Sequence, residues 1–582
     1  MPEENSLSHY INKSKELKVY NKKIRIGLLA SFTINGLKEI LQVKSAKRNI
    51  SCIIYEAPYN QYSQEILNQN SNLYKFLPEI TFLIIDARSI FGEIFRFPYS
   101  ISSSERKKIV DEKFNEIKNL VDRFVEKTNS KLVMTKLNIP SFSPYGIFES
   151  KVEYGFHNMI EDFNHKLMKN YLNSENVYTY DFEKFVAKNG EDNVFDYSQF
   201  FFGDLKISMK YLPVLGQDFM KYLIAYLGIT KKCIVLDLDN TLWGGIVGED
   251  GFNGIKLGPE PPGNAFMEFQ RVLLSLHQRG IILAINSKNN FEDGIKVIKE
   301  HPYMVLKEEH FAAMRINWKD KVTNMKELIQ EINIGSDSLV FIDDDPVNRE
   351  FVKSIFPEIL VVNLSNDPSM YAQMLENIID FNVLKITDED RNRGKMYLKQ
   401  KTINELQEST SDLQTFLTQL DLKIIIKKVN EFTLPRVSQL ILKTNQFNLT
   451  TKRYQESDIK KMMHDPNFIL NCVQVMDKFG DNGITGVFII KKENEKKWIL
   501  DTFLMSCRIM GRDIEKAMMS HIINNAKENQ IEKIEADFLP TQKNKPIATF
   551  LPDCEFQKEG ELWTYTIKSK IKFPEYITVK VE

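Results

Sequence analysis

Cysteine is scarce in this chain. Five occur among 582 residues, at positions 52, 233, 472, 507 and 554, a spacing that gives neither a disulfide framework nor a metal-binding pattern. No apolar run reaches the roughly 18–20 residues that a membrane-spanning helix needs. The opening Met1-Pro-Glu-Glu-Asn-Ser is acidic and polar, unlike a secretory signal. Neither charge dominates: 77 Lys plus Arg face 78 Asp plus Glu, so no field of one sign draws in nucleic acid or an anionic membrane. Internal repeats and low-complexity segments are missing as well. What these absences leave is a soluble, cytoplasmic protein with no nucleic-acid or membrane partner. Its length exceeds a single core, and three to four domains are expected.

Three parts can be read along the chain. Residues 1–228 alternate strand-like runs (Ile24–Ala30, Ser51–Tyr55, Ile80–Ile85, Lys131–Met134) with amphipathic stretches such as Glu105–Asn129, a pattern that predicts a parallel sheet with helices. The aromatic stretch Tyr197–Phe202 is expected in the core of this part. A second α/β unit is expected over 229–385, followed by a charged helical connector over 386–420. The last part, 421–582, reads as a mixed sheet. Its strands are expected at Lys423–Ile426, Gly486–Ile490, Lys497–Leu504 and Leu562–Ile567, with helices after Leu434 and Asp513.

The chemistry gathers in the middle part. Cys233-Ile-Val-Leu-Asp237-Leu-Asp239-Asn-Thr241-Leu-Trp243-Gly-Gly245 is a buried strand ending in two carboxylates one residue apart. One carboxylate of such a pair can attack phosphorus while the other handles protons, provided a cation neutralises their repulsion. The next strand, Ile281–Asn286, ends in Ser287, whose hydroxyl can hydrogen-bond a phosphoryl oxygen. In Trp318-Lys319-Asp320-Lys321, a lysine beside a helix start can offset charge on a transferring group. Leu339–Ile342 then runs into Asp343-Asp344-Asp345, oxygen ligands suited to Mg2+.

In this order, Asp237-Leu-Asp-Asn-Thr241, Ser287, Lys321 and Asp343-Asp344 resemble the four motifs of the haloacid dehalogenase (HAD) superfamily of phosphotransferases. The resemblance implies Asp237 as nucleophile, forming an aspartyl-phosphate, and Asp239 as general acid/base. It further implies Thr241, Ser287 and Lys321 as holders of the phosphoryl group, with Lys319 a weaker contender for the role of Lys321. Mg2+ would be held by Asp237, the backbone carbonyl of Asp239 and Asp343, with Asp344 either a further ligand or just behind the ligands. The wording around these motifs, Lys232 to Gly251, Arg315 to Lys321 and Asp337 to Pro346, looks like the FkbH-like proteins of HAD subfamily IIIC. That family takes a glyceryl unit from 1,3-bisphosphoglycerate, a phosphorylated three-carbon acyl donor. It loads the unit on an acyl carrier protein and removes the phosphate, feeding polyketide-type pathways. The span from Asp237 to Ser287 is too short for a large cap domain, which suits a phosphate presented on a bulky carrier.

The flanking parts carry resemblances of their own. Residues 421–582 resemble the GNAT acyltransferase fold, with Asp477–Gly486 as its hairpin. Ser506-Cys507-Arg508-Ile-Met-Gly511-Arg512 stands where the family has its pyrophosphate loop. Arg508 and Gly511 are the surviving half, and Asp513 replaces a small residue. A carrier's phosphopantetheine arm fits this loop better than acetyl-CoA. Acyl capture calls for a thiol; Cys507, just before Arg508 and close in sequence to Arg512, is the first candidate and Cys233 the second. Residues 1–228 resemble the SGNH-hydrolase fold, with Ser31-Phe-Thr33 and Asn138 near its motif positions. None of the eight His lies between His165 and His277, so an inactive scaffold or docking domain is expected. Ile334–Leu339 resembles a pantetheinylation site but precedes a strand rather than a helix, so the carrier is expected to be a separate chain.

The fold expected is α/β throughout: an SGNH-like α/β domain, a capless HAD Rossmann-like domain and a GNAT-like α+β domain. The alternatives are a plain phosphatase with flanking recruitment domains, or an acyltransferase of a biosynthetic gene cluster.

Overall fold

The structure is a computed structural model that describes residues 6–391 and 412–582. The chain divides into two compact units, Met1–Leu223 and Ile224–Glu582. The parts expected at 229–385 and 421–582 thus belong to one unit. Of the expected connector, residues 392–411 lie outside the described residues.

The first unit is built on strands β1 (Lys22–Ala30), β2 (Ile50–Glu56), β3 (Ile80–Ile84), β4 (Lys131–Thr135) and β5 (Val177–Tyr180). All pair in parallel in the order β2-β1-β3-β4-β5. β1 lies inside the sheet, and its last five residues are all buried, as expected of a strand covered on both faces. The long helix Ser103–Lys127 starts with a capping box: the Ser102 side chain accepts from the Glu105 amide and Glu105 accepts from the Ser102 amide. β5 was not legible in the sequence, being four residues long with two half-buried ones.

Tyr197–Phe202 is not core. It forms a short surface helix, Tyr197–Gly203, capped by Asp196, with Phe201 and Phe202 exposed at 73% and 90%. Consecutive residues point about 100° apart around a helix. Three adjacent phenylalanines therefore cannot all face inward, and only Phe200 is partly covered.

In the second unit, β6 (Cys233–Leu236), β7 (Ile282–Ser287), β8 (Phe311–Ile316), β9 (Leu339–Asp343) and β10 (Leu360–Asn363) form a parallel sheet, ordered β10-β9-β6-β7-β8. β8 and β10 add to the strands read from sequence. β6 is central and fully buried. Strand order reverses beside it, which opens a crevice at the carboxyl ends, the usual ligand position in such sheets. Between β6 and β7 the chain folds back through a Gly244–Lys256 bridge and then forms the helix Gly263–Gln278, whose Phe266 and Phe269 are core. That connection holds no separate cap domain.

The remaining strands are β11 (Leu422–Lys428), β12 (Phe447–Asn448), β13 (Phe468–Asp477), β14 (Gly480–Asn494), β15 (Lys497–Met505), β16 (Lys533–Ala536), β17 (Gln557–Glu559), β18 (Leu562–Thr566) and β19 (Ile577–Val581). They make a mixed sheet, β17-β18-β16-β15-β14-β13-β11-β19. β15 and β16 run parallel only from Lys497–Lys533 to Leu500–Ala536. Since β14 lines one edge of β15 along its whole length, the other edge beyond Leu500 is open to β12, which pairs Phe447 with Met505 and Asn448 with Leu504. The Leu539 amide then bonds the Leu449 carbonyl, so residues 447–449 fill the gap where β15 and the chain after β16 diverge. Among the described residues no helix is long and apolar enough to cross a membrane.

Candidate phosphoryl-transfer site

Three strand ends and one helix start converge at the carboxyl side of β6. Asp237 follows β6, Ser287 ends β7 and Asp343 ends β9, while Lys321 opens the helix Lys321–Ile332. That helix starts at Lys321 because Asp320 caps it, accepting from the Thr323 amide at 2.9 Å. Lys321 is 1% exposed, and its Nζ lies 2.7 Å from Asp237 Oδ1 and 2.9 Å from Asp343 Oδ2. It also donates to the Asn286 carbonyl at 2.7 Å, while Asn286 Nδ2 donates back to the Lys321 carbonyl at 2.9 Å. Burial works against the ammonium, but Asp237 and Asp343 outweigh it and hold the lysine above its ordinary range. Lys319 has no such place: it is exposed and pairs with Glu327 at 2.8 Å.

Carboxyl oxygens of Asp237, Asp343 and Asp344 lie within 4.8 Å of one another. Three carboxylates around one ammonium leave excess negative charge. Burial first, and then Asp237 and Asp343, push Asp344 up to about 6. An all-oxygen set with surplus charge fits a hard divalent cation such as Mg2+. The Asp239 carboxylate is not part of this cluster. Trp243 Nε1 (2.8 Å) and the Val247 amide (3.1 Å) donate to its Oδ1, and Asn289 Nδ2 (2.8 Å) donates to its Oδ2. Burial raises its pKa, with Trp243 and Val247 opposing. Thr241 and Ser287 are both buried beside the carboxylates, and Thr241 Oγ1 has no hydrogen-bond partner. Asn286, Asn289 and Arg349 escaped the sequence reading; Arg349 Nη1 bonds the carbonyls of Asp343 and Asp344 at 2.8 and 2.6 Å. Asn289, two residues after Ser287, was open to discovery by asking what could restrain Asp239.

The predicted thiol sits elsewhere. Cys507 begins a short 3-10 turn after β15, and its carbonyl accepts from Asn333 Nδ2 at 2.6 Å. It shares a cleft with Lys232, which precedes β6, whereas Asp237 follows that strand. At about 3.3 Å per strand residue, Lys232 and Asp237 lie roughly 16 Å apart. The expectation that the nearby arginines favour a Cys507 thiolate does not hold. Arg512 is buried and turned to Asp477 at 3.1 Å, and burial pushes the Cys507 thiol up despite Lys232 and Arg508. Cys233 is fully buried, with its thiol pushed up by desolvation. Arg508 lines the cleft; Gly511, at φ +77°, stands in open space. Asp513 puts a carboxylate at the start of the helix Ile514–Glu528, the end where an anion would otherwise be favoured.

In the first unit, buried Ser31 accepts from the Asp86 amide at 3.1 Å through its Oγ. Asn138 lines an aromatic cavity in which Lys206 pairs with Asp86.

Residues 25–223 match the family model for the FkbH N-terminal domain. Among solved structures, the N-terminal part of the protein BF1531 from Bacteroides fragilis, containing a phosphatase domain complexed with Mg, is similar over 66% of this chain and 100% of its own, at 28% identity and a TM-score of 0.59. Ribosomal-protein-S18-alanine N-acetyltransferase from Escherichia coli and Ard1 from Thermoplasma volcanium each align over 25% of this chain and 95% and 99% of their own. Their identities are 8% and 11% and both TM-scores are 0.21. No curated protein matches.

Proposed function

We infer that this chain, an FkbH-like protein with a HAD-type phosphatase domain, dephosphorylates an acyl group that reaches it on an acyl carrier protein. The donor is a phosphorylated three-carbon acyl group, 1,3-bisphosphoglycerate, whose glyceryl unit ends on the thiol of a separate carrier chain. The observation that carries the phosphatase step is the buried Lys321 clamped between Asp237 and Asp343. Asp237, Asp343 and Asp344, with the Asp239 carbonyl, would hold Mg2+, which would supply positive charge to offset that on the phosphoryl oxygens. Asp237 attacks phosphorus. Asp239, held by Trp243, Val247 and Asn289, gives a proton to the leaving oxygen and then takes one from water. Thr241, Ser287 and Lys321 hold the phosphoryl oxygens. The capless connection between β6 and β7 supports a substrate delivered on a large partner.

The place of Cys507 bears on acyl capture. Cys507 is pushed up by burial and stands at the other end of β6, which favours a second reading: a plain Mg2+-dependent phosphatase with flanking recruitment domains. One experiment separates them. The protein is incubated with Mg2+, 1,3-bisphosphoglycerate and a holo-carrier, and all chains are weighed intact. Glyceryl on the carrier supports loading; phosphate release with no acyl adduct on any chain overturns it. Asp237→Asn is expected to leave a phosphorylated acyl adduct in place. If Cys507→Ser still forms an acyl adduct on this chain, that thiol is not the acceptor.

A further inference from the structure

The general acid fixes where the organic half of a substrate must lie. In an in-line transfer the leaving oxygen stands opposite the attacking one, and its proton donor must be within hydrogen-bond reach. With Asp237 as nucleophile and Asp239 as acid, the group beyond the ester oxygen begins beside the Asp239 carboxylate. Two loops hold that carboxylate, one on each oxygen. The Val247 amide bonds its Oδ1 at 3.1 Å, and Asn289 Nδ2 bonds its Oδ2 at 2.8 Å.

An exposed apolar side chain is tied to each loop. Ile246, the residue before Val247, is 41% exposed. Trp318 is 71% exposed, although tryptophan is ordinarily well covered. It is nonetheless held in place: its Nε1 donates to Asn290 Oδ1 at 3.0 Å, and Asn290 follows Asn289. The backbone before it is anchored too. The Asn317 amide bonds the Ser287 carbonyl at 3.1 Å, and Asn317 Oδ1 accepts from the Lys319 amide and Asn324 Nδ2 at 2.9 and 3.0 Å. An indole fixed in solvent beside the acid's own loop offers a ligand a rigid apolar face at little ordering cost.

Charge on the same two loops is not arranged for a second anion. Asp250 accepts from the Ile246 amide at 2.8 Å, and Asp293 accepts from Asn290 Nδ2 at 3.1 Å. Lys319 is paired with Glu327, which leaves exposed Lys288 against those two carboxylates.

We propose that Trp318 and Ile246 determine specificity by flanking the leaving group, so that the site takes phosphate monoesters whose organic part is uncharged, extended and partly apolar. The proposal rests on the phosphatase reading. A phosphorylated acyl group meets the description as a thioester and not as the free carboxylate.

Three esters separate the contributions: hexyl phosphate, ethyl phosphate and 3-phosphoglycerate, which is short and carries a carboxylate. With Mg2+ and the full chain, kcat/KM should fall in that order. Trp318→Ala should lower the hexyl-to-ethyl ratio of kcat/KM roughly tenfold, and Trp318→Phe should keep most of it. The ratio cancels any general loss of activity. Trp318 also reports binding directly. Of the four tryptophans, Trp243 and Trp498 are buried and Trp563 is half-buried. Hexylphosphonate, which resists hydrolysis, should shield the fluorescence from acrylamide, whereas inorganic phosphate should not. An unchanged hexyl-to-ethyl ratio in Trp318→Ala overturns the proposal, as does equal quenching with and without hexylphosphonate. If no ester is turned over while hexylphosphonate still shields Trp318, the phosphatase reading falls and the apolar binding face stands.

Discussion

Trp243 Nε1 donates to Asp239 Oδ1 across 2.8 Å, from a tryptophan that is fully buried. The indole therefore cannot swing away, and the carboxylate beside it is fixed in direction. Trp243→Phe keeps most of the packing and removes only the donor. A hydrogen bond to a charged group is worth about 1.5–3 kcal/mol, so kcat for phosphate release should fall roughly ten- to a hundredfold. The bond favours the ionised form, so its loss moves the Asp239-governed limb of the pH–rate profile to higher pH. An unshifted limb would show that Trp243 only packs.

Lys321 meets two carboxylates, and Lys321→Met leaves them facing each other without a counter-charge. Breaking a buried pair from one side costs roughly 3–5 kcal/mol. Chemical denaturation without metal should show a loss of that order, and Mg2+ should restore part of the stability without restoring turnover.

Lys319 supplies the matched control. It is exposed and bonded to Glu327, so Lys319→Ala should change stability by less than about 1 kcal/mol and leave phosphate release near the parent level. A large loss would return Lys319 to the site.

The carboxylate cluster predicts a metal requirement. Chelation should abolish phosphate release, and Mg2+ at about a hundred times its Kd should stabilise the protein by roughly 2.7 kcal/mol. Asp343→Asn and Asp344→Asn should both weaken that response. A thermal shift by Mg2+ that survives both substitutions would place the cation elsewhere.

The half-buried thiols predict a pH trend. Burial raises Cys507, and burial followed by nearby carboxylates pushes Cys554 up to about 12. The thiolate is the reactive form. Alkylation of either should still be climbing with pH at 9, where an ordinary thiol near 8.5 levels off. A plateau at Cys507 near neutrality would revive the expectation of an activated nucleophile.

The residues that meet in the candidate site were legible in the sequence because each rides on local structure. A short apolar run followed by Asp237, Ser287 or Asp343 needs only a parallel sheet to bring the strand ends together, and the cap at Asp320 fixes where the Lys321 helix begins. The choice between Lys319 and Lys321 was not local. Two positions apart at a helix start, one lysine faces solvent and the other the strand ends, and packing of the helix on the sheet makes that decision.

The bond of Asn289 to Asp239, the filling of the β15–β16 gap by residues 447–449, and the cleft behind β6 that Lys232 and Cys507 share were decided by tertiary structure alone. So was the fate of Cys507, whose neighbours in sequence suggested activation while its surroundings in space desolvate it. The physical reason is range. Strand and helix signals repeat every two to four residues and can be read one segment at a time. Burial, and the charges that meet across it, depend on segments from 50 to more than 200 residues apart.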